Sequence, residues 1–275
     1  MEGPLGGRPG HRPGGSGLTD SPSDPEDEEL PEDESDEDPT DPELEPVGTK
    51  RRTPAGQPTT DLILSCHRGS NAEVFPQILK LYVPEGSTVA DTTFGRGVFW
   101  KLVSLDLYTL WKSDLQEGID ARALPYITGS VDAVVFDPPY MHTSSTERSR
   151  TYDAMAFENY YQLNRPEAVA GAPKYHEAVL ALYLDAAREA LRVLRPQGIY
   201  IVKCQDEVCT NRQRLTHVEL VNAYEKMGFL VEDLFVVMRA NKPGVSRIVK
   251  QVHSRKNCSY FVIVRAPRSD RTVTG

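Results

Sequence analysis

Four consecutive residues near the middle of the chain, Asp137-Pro138-Pro139-Tyr140, bring together a carboxylate, proline carbonyls and an aromatic ring. Two prolines remove two backbone donors and fix two φ angles, so no strand ladder continues through them. The outcome is a rigid platform of acceptors beside one ring face. A second constellation, Asp91-Thr92-Thr93-Phe94-Gly95-Arg96-Gly97, sets a carboxylate four residues before one glycine and six before another. Gly95 and Gly97 let backbone approach a ligand closely, and a helix opening behind them would offer free N–H groups. Two more carboxylates follow, Asp114 at 17 residues beyond Gly97, and Asp120.

These residues need elements to hold them. Val131 to Phe136 is a short β-branched and aromatic run with little alternation, as expected of a strand covered on both faces. Ser87 to Thr92 reads as an earlier strand, with the glycine turn at its end and then a helix through Phe99, Trp100, Leu102 and Val103. Upstream, Ser70 or Asn71 can cap a helix through Val74, Phe75, Ile78, Leu79 and Tyr82. Tyr108 to Trp111 gives a further strand, followed by a third, short segment before Asp120. A long helix spans roughly 174–194 and is stopped by Pro196-Gln197-Gly198. Strands then follow at 199–202, 229–238 and 259–264, with a helix capped by Thr216 between the first two. Alternating strands and helices argue an α/β chain with a mostly parallel, doubly wound sheet. The closing pair of strands, with no helix between them, argues that the last is antiparallel. In such sheets ligands bind beyond the carboxyl ends of the strands, where both motifs fall.

Together the two motifs resemble the S-adenosylmethionine-dependent amino-methyltransferases, the DNA adenine-N6 and cytosine-N4 group that carries an Asp-Pro-Pro-Tyr motif. The resemblance covers about residues 61–266. It implies a Rossmann-like seven-stranded class I methyltransferase fold, with S-adenosyl-L-methionine as cofactor. On that likeness Asp91, Thr93, Phe94, Gly95 and Gly97 form the cofactor turn. Asp114 accepts the ribose hydroxyls, Asp120 meets the adenine amino group, and Asn71 lies in the region that holds the methionine end. The chain departs from the family in that Thr92-Thr93 intervene before Phe94, and Arg96 replaces a small residue. The resemblance also assigns the catalytic set. Asp137 and the Pro138 carbonyl accept both hydrogens of an exocyclic amino group, Pro139 keeps the platform rigid, and Tyr140 stacks on a base rotated out of its duplex.

Composition frames the partners. The chain has 275 residues and a net charge of −9, yet its first 50 residues hold 16 acids and three bases. The remainder is therefore mildly basic, which fits a polyanion partner. Residues 1–57 read as a disordered acidic tail able to recruit a protein partner, 58–267 as the methyltransferase domain, and 268–275 as a disordered C-terminal tail. Arg239, Lys242, Arg247, Lys250, Arg255 and Lys256 lie in a stretch with no acid and suit phosphate contact. Arg148 and Arg150, in the polar loop of residues 141–173 that follows the platform, are candidates for the same role. The four cysteines show no metal-ligand spacing and read as reduced thiols, and no metal is expected. With no secretory signal and no apolar run of about 18 residues, the expected setting is cytoplasmic and off the membrane. DNA adenine N6 is the leading substrate. An RNA adenine-N6 or guanine-N2 methyltransferase is the alternative, and a non-catalytic nucleic-acid-binding or recruitment protein on the same fold is the third reading.

Overall fold

A computed structural model describes residues 62–140, 175–240 and 250–268. The acidic tail, the loop of residues 141–173 and residues 269–275 lie outside the described residues. The described chain runs β1 (Cys66–Arg68), α1 (Asn71–Tyr82), β2 (Thr88–Asp91), β3 (Thr109–Lys112), β4 (Val131–Phe136), α2 (His176–Val193) and β5 (Leu194–Cys204). A small hairpin of β6 (Glu207–Cys209) and β7 (Arg212–Arg214) follows, then α3 (Thr216–Lys226), β8 (Leu230–Met238) and β9 (Cys258–Arg265). The main sheet has seven strands in the order β1-β8-β9-β5-β4-β2-β3. β9 is antiparallel to both β5 and β8, and the other pairings are parallel. This is the expected Rossmann-like α/β architecture, mostly parallel with an antiparallel last strand.

Helices cover both faces. On one face α1 buries Val74, Phe75, Ile78 and Leu79 against Val89, Val135, Ile201 and Phe261. On the other, α2 and α3 bury Leu182, Tyr183, Ala186, Leu220 and Tyr224 against Val134, Phe136, Tyr200 and Val202. β4 feeds both cores, so the apolar run from Ala133 to Phe136 is the direct signature of a strand covered on both faces, Asp132 near its start being only partly covered.

Several elements depart from expectation. The glycine turn is followed by a 3-10 turn, Phe99–Leu102, and not by an α-helix. The eleven residues between Gly97 and β3 hold this turn and a second 3-10 turn, Leu105–Leu107, and the Trp100 indole N–H is tied to Asp91 Oδ2 at 2.7 Å. The short segment before Asp120 is a 3-10 turn, Leu115–Glu117, and not a strand. The seventh strand is instead β1, paired with β8. Ser70 occupies the cap position of α1, and the Glu73 carboxylate accepts the Ser70 N–H at 2.6 Å. Thr216 does not cap its helix. Leu215 stands at that position, and the Thr216 hydroxyl is buried without a hydrogen-bond partner. All four cysteines are free thiols. Among the described residues no helix is long and apolar enough to cross a membrane.

α2 passes straight into β5. Gln197 takes a left-handed φ of 66° there, and Gly198 is packed so closely that a Cβ would lie 2.9 Å from the Arg195 carbonyl and 3.0 Å from that of Asp132. Both obstacles are backbone, so the site cannot yield cheaply. Gly198→Ala is expected to destabilise the fold by about 1–3 kcal/mol, read as a lower urea midpoint.

Candidate active site

The parallel strands β2, β3, β4 and β5 end on one edge of the sheet, and their last residues bring the two motifs together. Asp91 closes β2, level with Val135 of β4 and Lys112 of β3. Thr92 donates its N–H and its hydroxyl to the Val135 carbonyl at 3.0 and 2.9 Å. Thr93 Oγ1 accepts the Asp137 N–H at 2.6 Å. The glycine turn and the Asp-Pro-Pro-Tyr platform are thus hydrogen-bonded side by side.

Asp91 is 3% exposed. Its Oδ1 accepts the Thr93 N–H at 3.0 Å and its Oδ2 the Trp100 indole. Burial pushes this carboxyl up to about 7, opposed by those two hydrogen bonds and reinforced by the charges of Asp137 and Asp114. Asp114 follows β3 and ties the turn from the other side. Its Oδ2 accepts the Gly95 N–H at 3.0 Å and its Oδ1 the Gln116 N–H at 2.8 Å. Each oxygen keeps a second lone pair for a ligand hydroxyl. Gly97 is buried with a φ of 62°, and a Cβ there would fall 2.7 Å from the Phe94 ring. Phe94 also carries Lys112 Nζ over its ring, 4.8 Å from the centroid.

The remaining candidates divide. Asn71 opens α1 at this same edge, one turn ahead of Phe75, whose ring lies 5.1 Å from that of Trp100. Asp120 is engaged by Arg122, with Nε 2.9 Å from Oδ1 and Nη2 2.5 Å from Oδ2. Any ligand amino group there would share that carboxylate with a guanidinium. Asp137 is half-buried and Pro138 buried. The Tyr140 hydroxyl donates to Asp137 Oδ1 at 2.5 Å.

Among the basic residues, Arg239, Lys250, Arg255 and Lys256 are described, while Lys242, Arg247, Arg148 and Arg150 lie outside the described residues. β8 runs parallel to β5, as expected, so Arg239 at its end shares the edge of the site. Arg239 donates its N–H to the Asn257 carbonyl at 2.9 Å, closing the neck of the basic segment. Gln205, just past β5, meets both the Lys256 carbonyl and the Arg239 guanidinium at 3.4 Å.

Two features escaped the sequence reading. Lys203, near the end of β5, is 0% exposed; its Nζ donates to Ser259 Oγ at 2.8 Å and lies 4.0 Å from the Phe261 ring centroid. Its signal was a lone charge directly after the apolar run Ile199–Val202. The second is a buried histidine with two carboxylates, His176 Nδ1 at 2.7 Å from Glu207 and Nε2 at 3.1 Å from Glu219. Burial opposes its charge, but the two carboxylates prevail and raise its pKa. Nothing in the spacing of these residues marked them as partners. Among the described residues no group of three or more His, Cys, Asp or Glu could hold a metal ion.

No protein-family model matches the sequence, and no curated protein matches it. Solved structures do align. TrmN from Thermus thermophilus aligns at 16% identity and a TM-score of 0.41, over 71% of this chain and 48% of that one. A second Thermus thermophilus protein, provisionally assigned as a DNA modification methylase and solved with S-adenosyl-L-methionine, aligns at 20% identity and 0.34, over 57% of this chain and 56% of that one. A Burkholderia thailandensis 1,6-didemethyltoxoflavin-N1-methyltransferase, solved with 1,6-didemethyltoxoflavin and S-adenosylhomocysteine, aligns at 11% identity and 0.44, over 72% and 79%. The chain spans about half the length of the two Thermus proteins.

The raised carboxyl of Asp91 makes a stability test. The folded state holds its proton more tightly than the unfolded chain does, so ionisation costs stability as pH rises from 3.8 to about 7. Asp91→Asn removes that cost. Urea titrations across this window should show the stability difference moving in favour of the variant, then levelling off above 7.

Proposed function

We propose that the chain is an S-adenosyl-L-methionine-dependent methyltransferase acting on the exocyclic amino group of a nucleic-acid base, adenine N6 in DNA being the favoured acceptor. The observation that carries this reading is the 2.6 Å bond from the Asp137 N–H to Thr93 Oγ1. It joins an acidic turn suited to a cationic ligand with a carboxylate suited to an amino group.

The fit to the cofactor rests on charge. Asp91 and Asp114 are close enough that the charge of the second helps raise the first, and a cation beside them relieves that repulsion. When bound, S-adenosyl-L-methionine supplies an electrophilic methyl on a sulfonium. Asp91 and the turn from Thr93 to Gly97 would hold it, with the spare lone pairs of Asp114 for the ribose hydroxyls and Asn71 at the opening of α1.

The chain's own part is to hold and orient the acceptor. An amino nitrogen conjugated to a base is a poor nucleophile. Asp137 and the Pro138 carbonyl accept its two hydrogens, draw it toward tetrahedral geometry and aim its lone pair. This is positioning and electrostatics, and the proton leaves to water after transfer. Tyr140, anchored through its hydroxyl, offers its ring to the base. Arg239, Lys250, Arg255 and Lys256 contribute positive charge for the backbone phosphates, together with Lys242, Arg247, Arg148 and Arg150.

The test is methyl transfer from labelled cofactor to duplex DNA and, in parallel, to total RNA, with nucleosides identified by mass spectrometry. N6-methyladenine in the DNA arm is the expected product, and label confined to RNA would move the acceptor to that polymer. Asp137→Ala should lower turnover by at least about 10²–10³-fold while cofactor affinity stays near wild type; retained turnover refutes the mechanism. Gly97→Ala should act on the other half, weakening cofactor binding by calorimetry, because its φ of 62° and the Phe94 ring both oppose a Cβ.

A further inference from the structure

Lys203 is a buried cation that the scheme above does not use. The β4–β5 register pairs Val135 with Ile201 and Phe136 with Val202. One step further brings Lys203 level with Asp137. Alternation along both strands turns the two side chains to the α1 face, where Val135 and Ile201 already lie. Among the described residues the ammonium meets the Ser259 hydroxyl and the Phe261 ring, both from β9. A fully buried ammonium in such a setting is costly unless an anion balances it. A methionine of similar volume would pack there without that cost.

Among the described residues, the ionisable groups acting on Lys203 are Asp137 from the end of β4, Arg239 from the end of β8 and the neighbouring Cys204 of β5, and Asp137 is the carboxylate that favours its charge. Burial pushes the Cys204 thiol well up, so it stays protonated. Coupling is reciprocal: an anion that favours the ammonium is favoured by it. Asp137 needs that support, because its acceptor role requires an ionised carboxylate and it stands among the charges of Asp91 and Asp114.

We propose that Lys203 is a positioning residue that keeps Asp137 ionised and its carboxylate turned toward the acceptor amino group. This rests on the amino-methyltransferase reading and adds to it the buried counter-charge of the acceptor site. Burial lowers the Lys203 pKa to about 8, with Asp137 pulling the other way and Arg239 adding to the fall. Turnover should therefore decline as pH rises through about 8.

Two measurements test the proposal. In the first, Lys203→Met should lower kcat by about 10–100-fold with cofactor affinity unchanged, lose the decline near pH 8, and shift the acid limb of the profile upward. Wild-type kcat with unchanged limbs in that variant overturns the proposal. The second needs no turnover: the Lys203 side-chain carbon is followed by NMR titration in the full chain with and without Asp137→Asn. The midpoint should fall when the Asp137 charge is removed. A midpoint that does not move overturns the pairing, even if Lys203→Met does not fold. A wild-type chain that methylates neither DNA nor RNA refutes the functional reading separately, and the NMR midpoint still decides the pairing.

Discussion

The hydrogen bond between Thr93 Oγ1 and the Asp137 N–H is the constraint on which the rest of the site depends. The two residues after Asp137 are prolines, so neither offers an N–H with which the platform could be tied further to the sheet. Net, such a bond is worth about 0.5–1.5 kcal/mol, and leaving the donor unmet would cost about 1–3 kcal/mol. Its larger effect is geometric. Thr92 fixes β2 to β4 through the Val135 carbonyl, Thr93 fixes the residue two positions on, and the two strand ends become one rigid surface. The Thr92-Thr93 pair ahead of Phe94 is therefore the feature that joins the two motifs.

Around that joint the chemistry is one of charge in restricted water. Asp91 sits under the Trp100 indole, Trp100 packs on Phe75, and Phe75 belongs to α1. The helix that covers one core thus also closes off a carboxylate at the sheet edge. Desolvation raises the free energy of an anion there, and a cationic ligand lowers it again. Affinity for such a ligand comes partly from relieving what folding imposed. Asp114 contributes differently: it spends one lone pair of each oxygen on the turn and leaves the outer pair to a ligand.

The parts legible in the sequence were those fixed by local chemistry. Ala133 to Phe136 declared a strand covered on both faces, and Pro138-Pro139 declared where it must stop. The antiparallel last strand followed from a sequence that shows no helical pattern between the last two strands. Other features depend on partners distant in the chain. β1 is a strand only because β8 offers it an edge, and three residues carry too little pattern to announce that. The 3-10 turn at Phe99–Leu102 comes from the Trp100–Asp91 bond, which helix propensity cannot anticipate. Thr216 has the chemistry of a cap, but the chain enters α3 one residue earlier and buries the hydroxyl. Lys203 has no such local signal, because a lysine at a strand end usually marks solvent, and it is β9 that encloses it.

β9 has a temporal consequence as well. It lies between β5 and β8, and the β1–β8 pair joins the rest of the sheet through it. Among the described strands it is also the last in the chain. During synthesis, β5 and β8 must wait with open edges until residues 258–265 emerge and insert between them, and unpaired edges are where chains associate wrongly. Ser259 and Phe261, which enclose Lys203, arrive in the same step. The fold therefore delays completion of the edge that carries both motifs until β9 is in place, so a nascent chain acquires its architecture and its candidate site together.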